Sequence, residues 1–197
     1  GLNGANGSLV RMQAIFNTGL SSYFTLDGTF TIYTGSTQGV AVDASDNIYI
    51  VGTGVTNKIV KLNSDGTVDT SFVVGSGLNQ TTTSYDFKVA ITKDDKPIIV
   101  GPFDTYSGVT KNGIVKLNYN GSIDSSFITG TGFNASPTKI DIDSLNNVWV
   151  GGVFTSYNGV SCGNIIKLFG GTAIPTPTPT STTTSTVTPT ITPTISL

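Results

Sequence analysis

One stretch of this sequence recurs three times, and that repetition limits the fold more than any other feature. Residues 40–52 read VAVDASDNIYIVG, residues 89–101 VAITKDDKPIIVG and residues 140–152 IDIDSLNNVWVGG. Each is an alternating apolar strand, a polar Asp/Asn turn and a second apolar strand that ends at Gly. A third strand follows each time: KIVKL at 58–62, GIVKL at 113–117 and NIIKL at 164–168. Val89–Leu117 aligns on Ile140–Leu168 without a gap. Two copies continue into NSDGTVDTSF (63–72) and NYNGSIDSSF (118–127). There Asp65-Gly66 and Asn120-Gly121 are two-residue hairpin signals, since a type I′ turn needs positive φ at both central positions. The chain is therefore expected to be all-β, built from four-stranded antiparallel meanders of about 50 residues each. One such meander buries a single face, so the core must come from stacking copies.

The third copy stops at Phe169-Gly170-Gly171 with no fourth strand, and the N-terminus offers a replacement. In NGSLVRMQAIF (6–16), Asn6-Gly7-Ser8 echoes Asn120-Gly121-Ser122 and Phe16 echoes Phe127. The expected assembly contact sets Leu9, Val10, Met12, Ile15 and Phe16 against the edge formed by Ile165, Ile166 and Leu168. Such pairing protects an edge that would otherwise template aggregation. It closes a ring within one chain, or joins a neighbour's chain into an oligomer or polymer; the sequence leaves both open. Asp27-Gly28, between Tyr23-Phe24-Thr25 and Phe30-Thr31-Ile32, predicts an additional hairpin within residues 17–39. The resulting division is a β-repeat domain over 1–171 (N-terminal strand and hairpin 1–39, repeats 40–88, 89–139 and 140–171) and a tail over 172–197.

The tail holds twelve Thr and five of the eight Pro and no charged residue. Alternating Thr-Pro removes backbone donors and favours extended conformations. It is the composition of a polyproline-II linker or an O-glycosylated stalk, with Thr176, Thr178, Thr180, Thr188, Thr190 and Thr192 as candidate glycan acceptors. The first residue is Gly1 rather than Met, as expected of a processed chain or a fragment.

Composition narrows the functional classes. All twelve acidic residues are Asp, Arg11 is the sole arginine, and the net charge is −2, so no basic surface exists to neutralise nucleic-acid phosphates. No apolar run reaches the roughly 20 residues that span a bilayer. With no His, a Ser-His-Asp triad, a Cys-His dyad and any His-bearing zinc site are impossible, and the lone Cys162 cannot form an internal disulfide. Cys162 aligns with Lys111 in a loop, with no nearby His or Arg to activate a thiol.

The repeat resembles the delta-60 repeat family of bacterial and phage proteins. The pattern of that family is matched by Gly151-Gly152-Val153-Phe154, Tyr157-Asn158-Gly159 and Lys61-Leu62-Asn63 through Asp65-Gly66, Asp69, Ser71 and Phe72; residues 116–127 repeat it with Asn120 for Asp. The resemblance covers roughly residues 40–169 and implies a β-propeller-like fold in a surface, secreted or tail-fibre protein, with no shared enzymatic activity. Three visible blades are fewer than the four to eight of a closed propeller, and Thr53–Asn57 shortens the first copy. A β-trefoil-like three-fold arrangement stays open beside the propeller.

Candidate chemistry is sparse. Asn63, Asp65, Asp69, Asp43 and Asp46 sit in turns that suit weak Ca²⁺ binding, although Asp in such turns ordinarily bonds its own backbone. Asp94-Asp95 and Asp141/Asp143 are carboxylate pairs without the apolar surroundings a glycosidase acid needs. Tyr106 and Tyr157 occupy matching loops and are the candidate sugar-stacking residues, while Trp149 aligns with Tyr49 and Ile98 at a core position. Sequons begin at Asn6, Asn79, Asn120 and Asn134. The expectation is a non-enzymatic, cofactor-free structural protein, extracellular, on a cell surface or on a virion, that self-assembles through strand complementation and its tail. A carbohydrate-binding adhesin with surface glycans as partners is the alternative.

Overall fold

The computed structural model describes residues 12–16, 22–31, 33–80 and 86–169. In chain order the strands are β1 (Met12–Phe16), β2 (Ser22–Leu26), β3 (Gly39–Val42), β4 (Ile48–Val51), β5 (Ile59–Leu62), β6 (Lys88–Ile91), β7 (Pro97–Val100), β8 (Thr105–Tyr106), β9 (Val109–Thr110), β10 (Ile114–Lys116), β11 (Pro137–Ile142), β12 (Val148–Gly152), β13 (Ser156–Tyr157), β14 (Val160–Ser161) and β15 (Ile165–Leu168). The described residues contain no α-helix, only a 3-10 turn at Thr56–Lys58. None of their helical segments is long and apolar enough to cross a membrane.

Each repeat makes one three-stranded antiparallel sheet with its second strand in the middle: β3-β4-β5, β6-β7-β10 and β11-β12-β15. Strand ladders stay inside repeats, so the sheets stack face to face as propeller blades do, and no trefoil barrel forms between them. Among the described residues the stack does not close into a ring. The middle strands of the first two repeats, β4 and β7, are buried along their whole length. Alternation along them divides the core into layers. Ile48 and Ile50 face backwards into a cluster with Phe30, Val55 and Leu62, while Tyr49 and Val51 face forwards into the layer shared with Val89 and Ile99. Ile98 and Val100 in turn face forwards to Val148 and Val150.

The turn between the first two strands is built identically in all three repeats. Asp43, Thr92 and Asp143 each accept an i→i+3 backbone bond, from Asp46, Asp95 and Asn146 respectively. The donors sit at φ 62°, 61° and 64°. Asp and Asn tolerate that left-handed region better than other side-chain-bearing residues. These residues also join the repeats. The Ala44 amide donates to Asp95 Oδ1 and the Lys93 amide to Asn146 Oδ1, both at 2.8 Å.

Two expectations are corrected. The fourth strand shrinks to a single bridge in each copy, Leu62 with Val68 and Leu117 with Ile123. The Asp-Gly and Asn-Gly signals do not form type I′ turns, because only Gly66 (φ 87°) and Gly121 (φ 85°) are left-handed. Ser64-Asp65 and Tyr119-Asn120 turn first and the glycine follows, a hairpin with a glycine bulge. The N-terminal hairpin is also different: β1 pairs with β2, in the register Met12–Leu26 to Phe16–Ser22, and Asp27-Gly28 is not its turn.

Gly66 and Gly121 hold the layers together. A Cβ on Gly66 would lie 2.5 Å from the Thr31 carbonyl oxygen, and one on Gly121 2.5 Å from that of Val73. Gly66→Ala and Gly121→Ala are each expected to cost about 1–3 kcal/mol, through φ strain and the clash together. Gly28→Ala, which meets nothing within 4 Å, is expected to cost nothing. Denaturant midpoints at constant m value would show the contrast.

Candidate functional site

The segment that ends each repeat is short, polar and locked by its own side chains. In Asp69-Thr70-Ser71-Phe72 the Ser71 amide and hydroxyl both donate to Asp69 Oδ1, at 2.9 and 2.6 Å. Ser126 does the same to Asp124 Oδ1, at 3.0 and 2.6 Å. The third strand receives the segment in a fixed register. The Asp69 amide donates to the Lys61 carbonyl and the Asp124 amide to the Lys116 carbonyl, each at 2.9 Å. Lys61 Nζ then closes on Asp69 Oδ2 at 2.9 Å; Lys96 and Lys116 reach Asp124 Oδ2 at 2.9 and 3.6 Å. Burial alone would raise the Asp124 pKa, but the Ser126 hydroxyl and amide and the Lys96 ammonium outweigh it and hold that carboxyl far below its usual range.

The same lock, followed by a core phenylalanine, appears a third time near the N-terminus. Thr29 donates from its amide and hydroxyl to Asp27 Oδ1, at 2.9 and 2.6 Å. Phe30 enters the core as Phe72 does. The Thr31 amide donates to the Asp65 carbonyl, as the Val73 amide does to that of Asn120. Residues 26–31 thus end a repeat that precedes the first. The structural counterpart of Phe72 and Phe127 is Phe30, not Phe16. The signal was legible: Asp27-Gly28-Thr29-Phe30 is the Asp-x-Ser/Thr-Phe pattern of 69–72 and 124–127.

Among the described residues the third repeat has a receiving strand without a segment to receive. Residues 170–197 contain no Asp, so the chain offers no such pattern after β15. Among the described residues β15 pairs only with β12. Beside it runs a groove of about 360 Å³, lined by Phe127, Ile128, Tyr157, Lys167, Leu168 and Phe169. Lys167 lies 3.9 Å from Asp143 and over the rings of Trp149 and Phe169, at 5.3 and 5.4 Å from their centres. Trp149 occupies the register of Tyr49 and Ile98, as its alignment implies, but among the described residues no layer follows it and it is 38% exposed. Ile165, at the position of the buried Ile59 and Ile114, is 65% exposed.

The expected assembly residues are only partly brought together. Ile165, Ile166 and Leu168 form β15, with Ile166 and Leu168 turned into the core and Ile165 outwards. Met12, Ile15 and Phe16 belong to β1, which pairs with β2 rather than with β15. Leu9, Val10 and the candidate acceptors Thr176, Thr178, Thr180, Thr188, Thr190 and Thr192 lie outside the described residues. The intrachain pairing of β1 with β15 that would close a ring is therefore absent from the described residues.

The remaining candidates resolve into structure. Tyr106 is 1% exposed and its hydroxyl donates to the Gly121 carbonyl at 2.5 Å, so it offers no face to a sugar. Tyr157 is half-buried with its ring 4.8 Å from that of Phe133. Burial pushes its hydroxyl up to about 12. Asp43, Asp65 and Asp69 accept bonds from their own turns, and no three metal-ligating side chains converge among the described residues. Asp94 is held by Lys116 at 2.7 Å and Asp143 by Asn147 and Trp149. Asp65, Asp69, Asp94, Asp124 and Asp143 all move down in pKa, the opposite of what a general acid requires. The sequon residues Asn79 and Asn134 are staples whose Oδ1 atoms each accept two amides of the next repeat.

Residues 44–72 and 92–127 match the family described as "Domain of unknown function (DUF5122) beta-propeller". The two matched segments both end on the Asp-x-Ser-Phe lock, in the first and second repeats. Over these residues the chain is similar to a β-propeller repeat family. No curated protein matches the chain.

The lock should be acid-sensitive. Because the Asp124 pKa is lowered on folding, its contribution is complete above the ordinary carboxylate range near pH 4 and fades as pH falls below it. Asp124→Asn is expected to cost about 1.5–3 kcal/mol at pH 7, the worth of charged hydrogen bonds. That deficit should shrink in urea melts taken from pH 4 to pH 2.

Proposed function

We propose that this chain is a non-enzymatic structural module of an extracellular, cell-surface or virion assembly, which associates with further copies of itself by completing its third repeat. The observation that carries the reading is the edge of β15, where Ile165 is exposed and Lys167 lacks the carboxylate lock of Lys61 and Lys116. Main-chain pairing at such an edge is the strand-addition mode of recognition. A surface of Thr, Asn and Ser with a net charge of −2 suits close packing of copies, since self-repulsion is small. In this reading the uncharged Thr/Pro tail is an extended spacer between the repeat domain and its neighbours, and its threonines are glycan acceptors.

The buried Tyr106 leaves the sugar-binding alternative without one of its two contacts. The assembly reading is tested by sedimentation of the full chain over a range of concentrations. Association is expected in the native chain and is expected to fall at least tenfold in Ile165→Asp. Because Ile165 is exposed, the unfolding free energy of that variant should stay within about 0.5 kcal/mol of the native value. A native chain that sediments as a monomer throughout would overturn the proposal.

A further inference from the structure

We infer that the outer edge of β15 is a docking site for an extended, acidic peptide segment of another polypeptide, one that carries an apolar residue, Asp, any residue, Ser or Thr, then Phe. The inference goes beyond the assembly reading and shares only the receiving edge with it. Two examples of the docked state stand inside the chain: Val68-Asp69-Thr70-Ser71-Phe72 on β5 and Ile123-Asp124-Ser125-Ser126-Phe127 on β10.

These examples define what the edge reads. Two main-chain bonds flank the apolar residue. The Asn63 amide donates to the Thr67 carbonyl at 2.8 Å and the Asp69 amide to the Lys61 carbonyl at 2.9 Å; Asn118 with Ser122 and Asp124 with Lys116 repeat both distances. Between these bonds Leu62 bridges Val68, and Leu117 bridges Ile123. In the third repeat the corresponding groups are the Phe169 amide, the Lys167 carbonyl and Leu168. Among the described residues no segment pairs with that side of β15.

The side chains are placed to match. Lys61 holds Asp69 at 2.9 Å while lying 5.7 Å from the centre of the Tyr49 ring. Lys167 lies in the same relation to Trp149, at 5.3 Å, and its ion pair with Asp143 is loose, at 3.9 Å. It is therefore poised to take the ligand carboxylate in a charge-assisted bond. Phe72 meets the Tyr49 ring edge-on at 5.6 Å. Trp149 stands in the register of Tyr49 and is 38% exposed, so it receives the ligand phenylalanine. That ring arrives from the β15 side of the sheet, away from β11.

The chain carries the pattern a third time, in Leu26-Asp27-Gly28-Thr29-Phe30, but each of its copies is held in place. Leu26 is paired with Met12, Phe30 and Phe72 lie in the core, and Phe127 packs against it. A segment held in a sheet could reach β15 only by bringing that sheet with it. The ligand is therefore a stretch of a different polypeptide that is unpaired before it binds, taken up by strand addition. Main-chain bonds supply the general affinity, and the Lys167 ammonium selects a carboxylate at one position.

Binding of a labelled synthetic peptide to the full chain, followed by fluorescence anisotropy, tests the site. The peptide copies Ser122–Thr129. Saturable binding is expected, weakened at least tenfold by Asp124→Asn in the peptide or by Lys167→Glu in the chain. Combining the Lys167→Glu chain with the Asp124→Lys peptide is expected to restore binding, which a misfolded variant would not do. No saturation up to about 1 mM peptide, or binding indifferent to Lys167→Glu, overturns the inference and leaves the assembly reading to its own sedimentation test. A native chain that stays monomeric yet binds the peptide upholds the inference and overturns the assembly reading alone.

Discussion

Everything in this structure depends on the two-sided burial of the middle strand of each repeat. Tyr49, Ile50 and Val51, and Ile98, Ile99 and Val100, are sealed on both faces, so neither sheet is stable without a layer before and after it. Removing a neighbour would return several large apolar side chains to water, each worth about 1.5–3 kcal/mol when fully buried. The repeat is therefore a layer in a stack and not a small domain in its own right. Its ends need different chemistry from its middle, and the ends are where this chain departs from its own pattern.

Between layers the apolar contacts set the spacing, and polar groups set the register. An apolar interface alone tolerates sliding, because burial is non-directional. The left-handed Asp95 and Asn146 each reach back to the turn of the preceding repeat, and Asn79 and Asn134 each hold two amides of the following one. These four side chains meet backbone groups that would otherwise be unpaired at the joint, and they do so at matching positions. The Asn and Asp richness that reads in sequence as turn chemistry is, in three dimensions, the fastening between repeats.

Much of the fold was legible in the sequence because it is local. Alternation, Asp/Asn turns and closing glycines fixed three hairpins and their third strands. The fourth strand is less than the sequence suggests: Asp-Gly and Asn-Gly signal a turn, but only Gly66 and Gly121 are left-handed, and the segment after each pairs at a single bridge. The repeat ending at Phe30 is less legible, because Asn6-Gly7-Ser8 and Phe16 echo the later copies while Asp27-Gly28-Thr29-Phe30 is the segment that matches them in structure. Tyr106 reads as a loop aromatic and is core, since its hydroxyl finds the Gly121 carbonyl within the same repeat. Trp149 was placed correctly by register, but its exposure depends on the absence of a following layer, which no residue near it records.

The third repeat differs from the two before it in the charge it carries while keeping the pattern of its third strand. Lys139 and Asp141 stand exposed on β11, and Lys167 lies over Trp149 and Phe169, so charge covers part of this end of the stack. A charged, crowded face resists a further flat layer, which is the usual property of a capping repeat. The edge of β15 was not treated in the same way. It keeps the lysine and the leucine that receive a segment in the two preceding repeats, in the same order and on the same strand register.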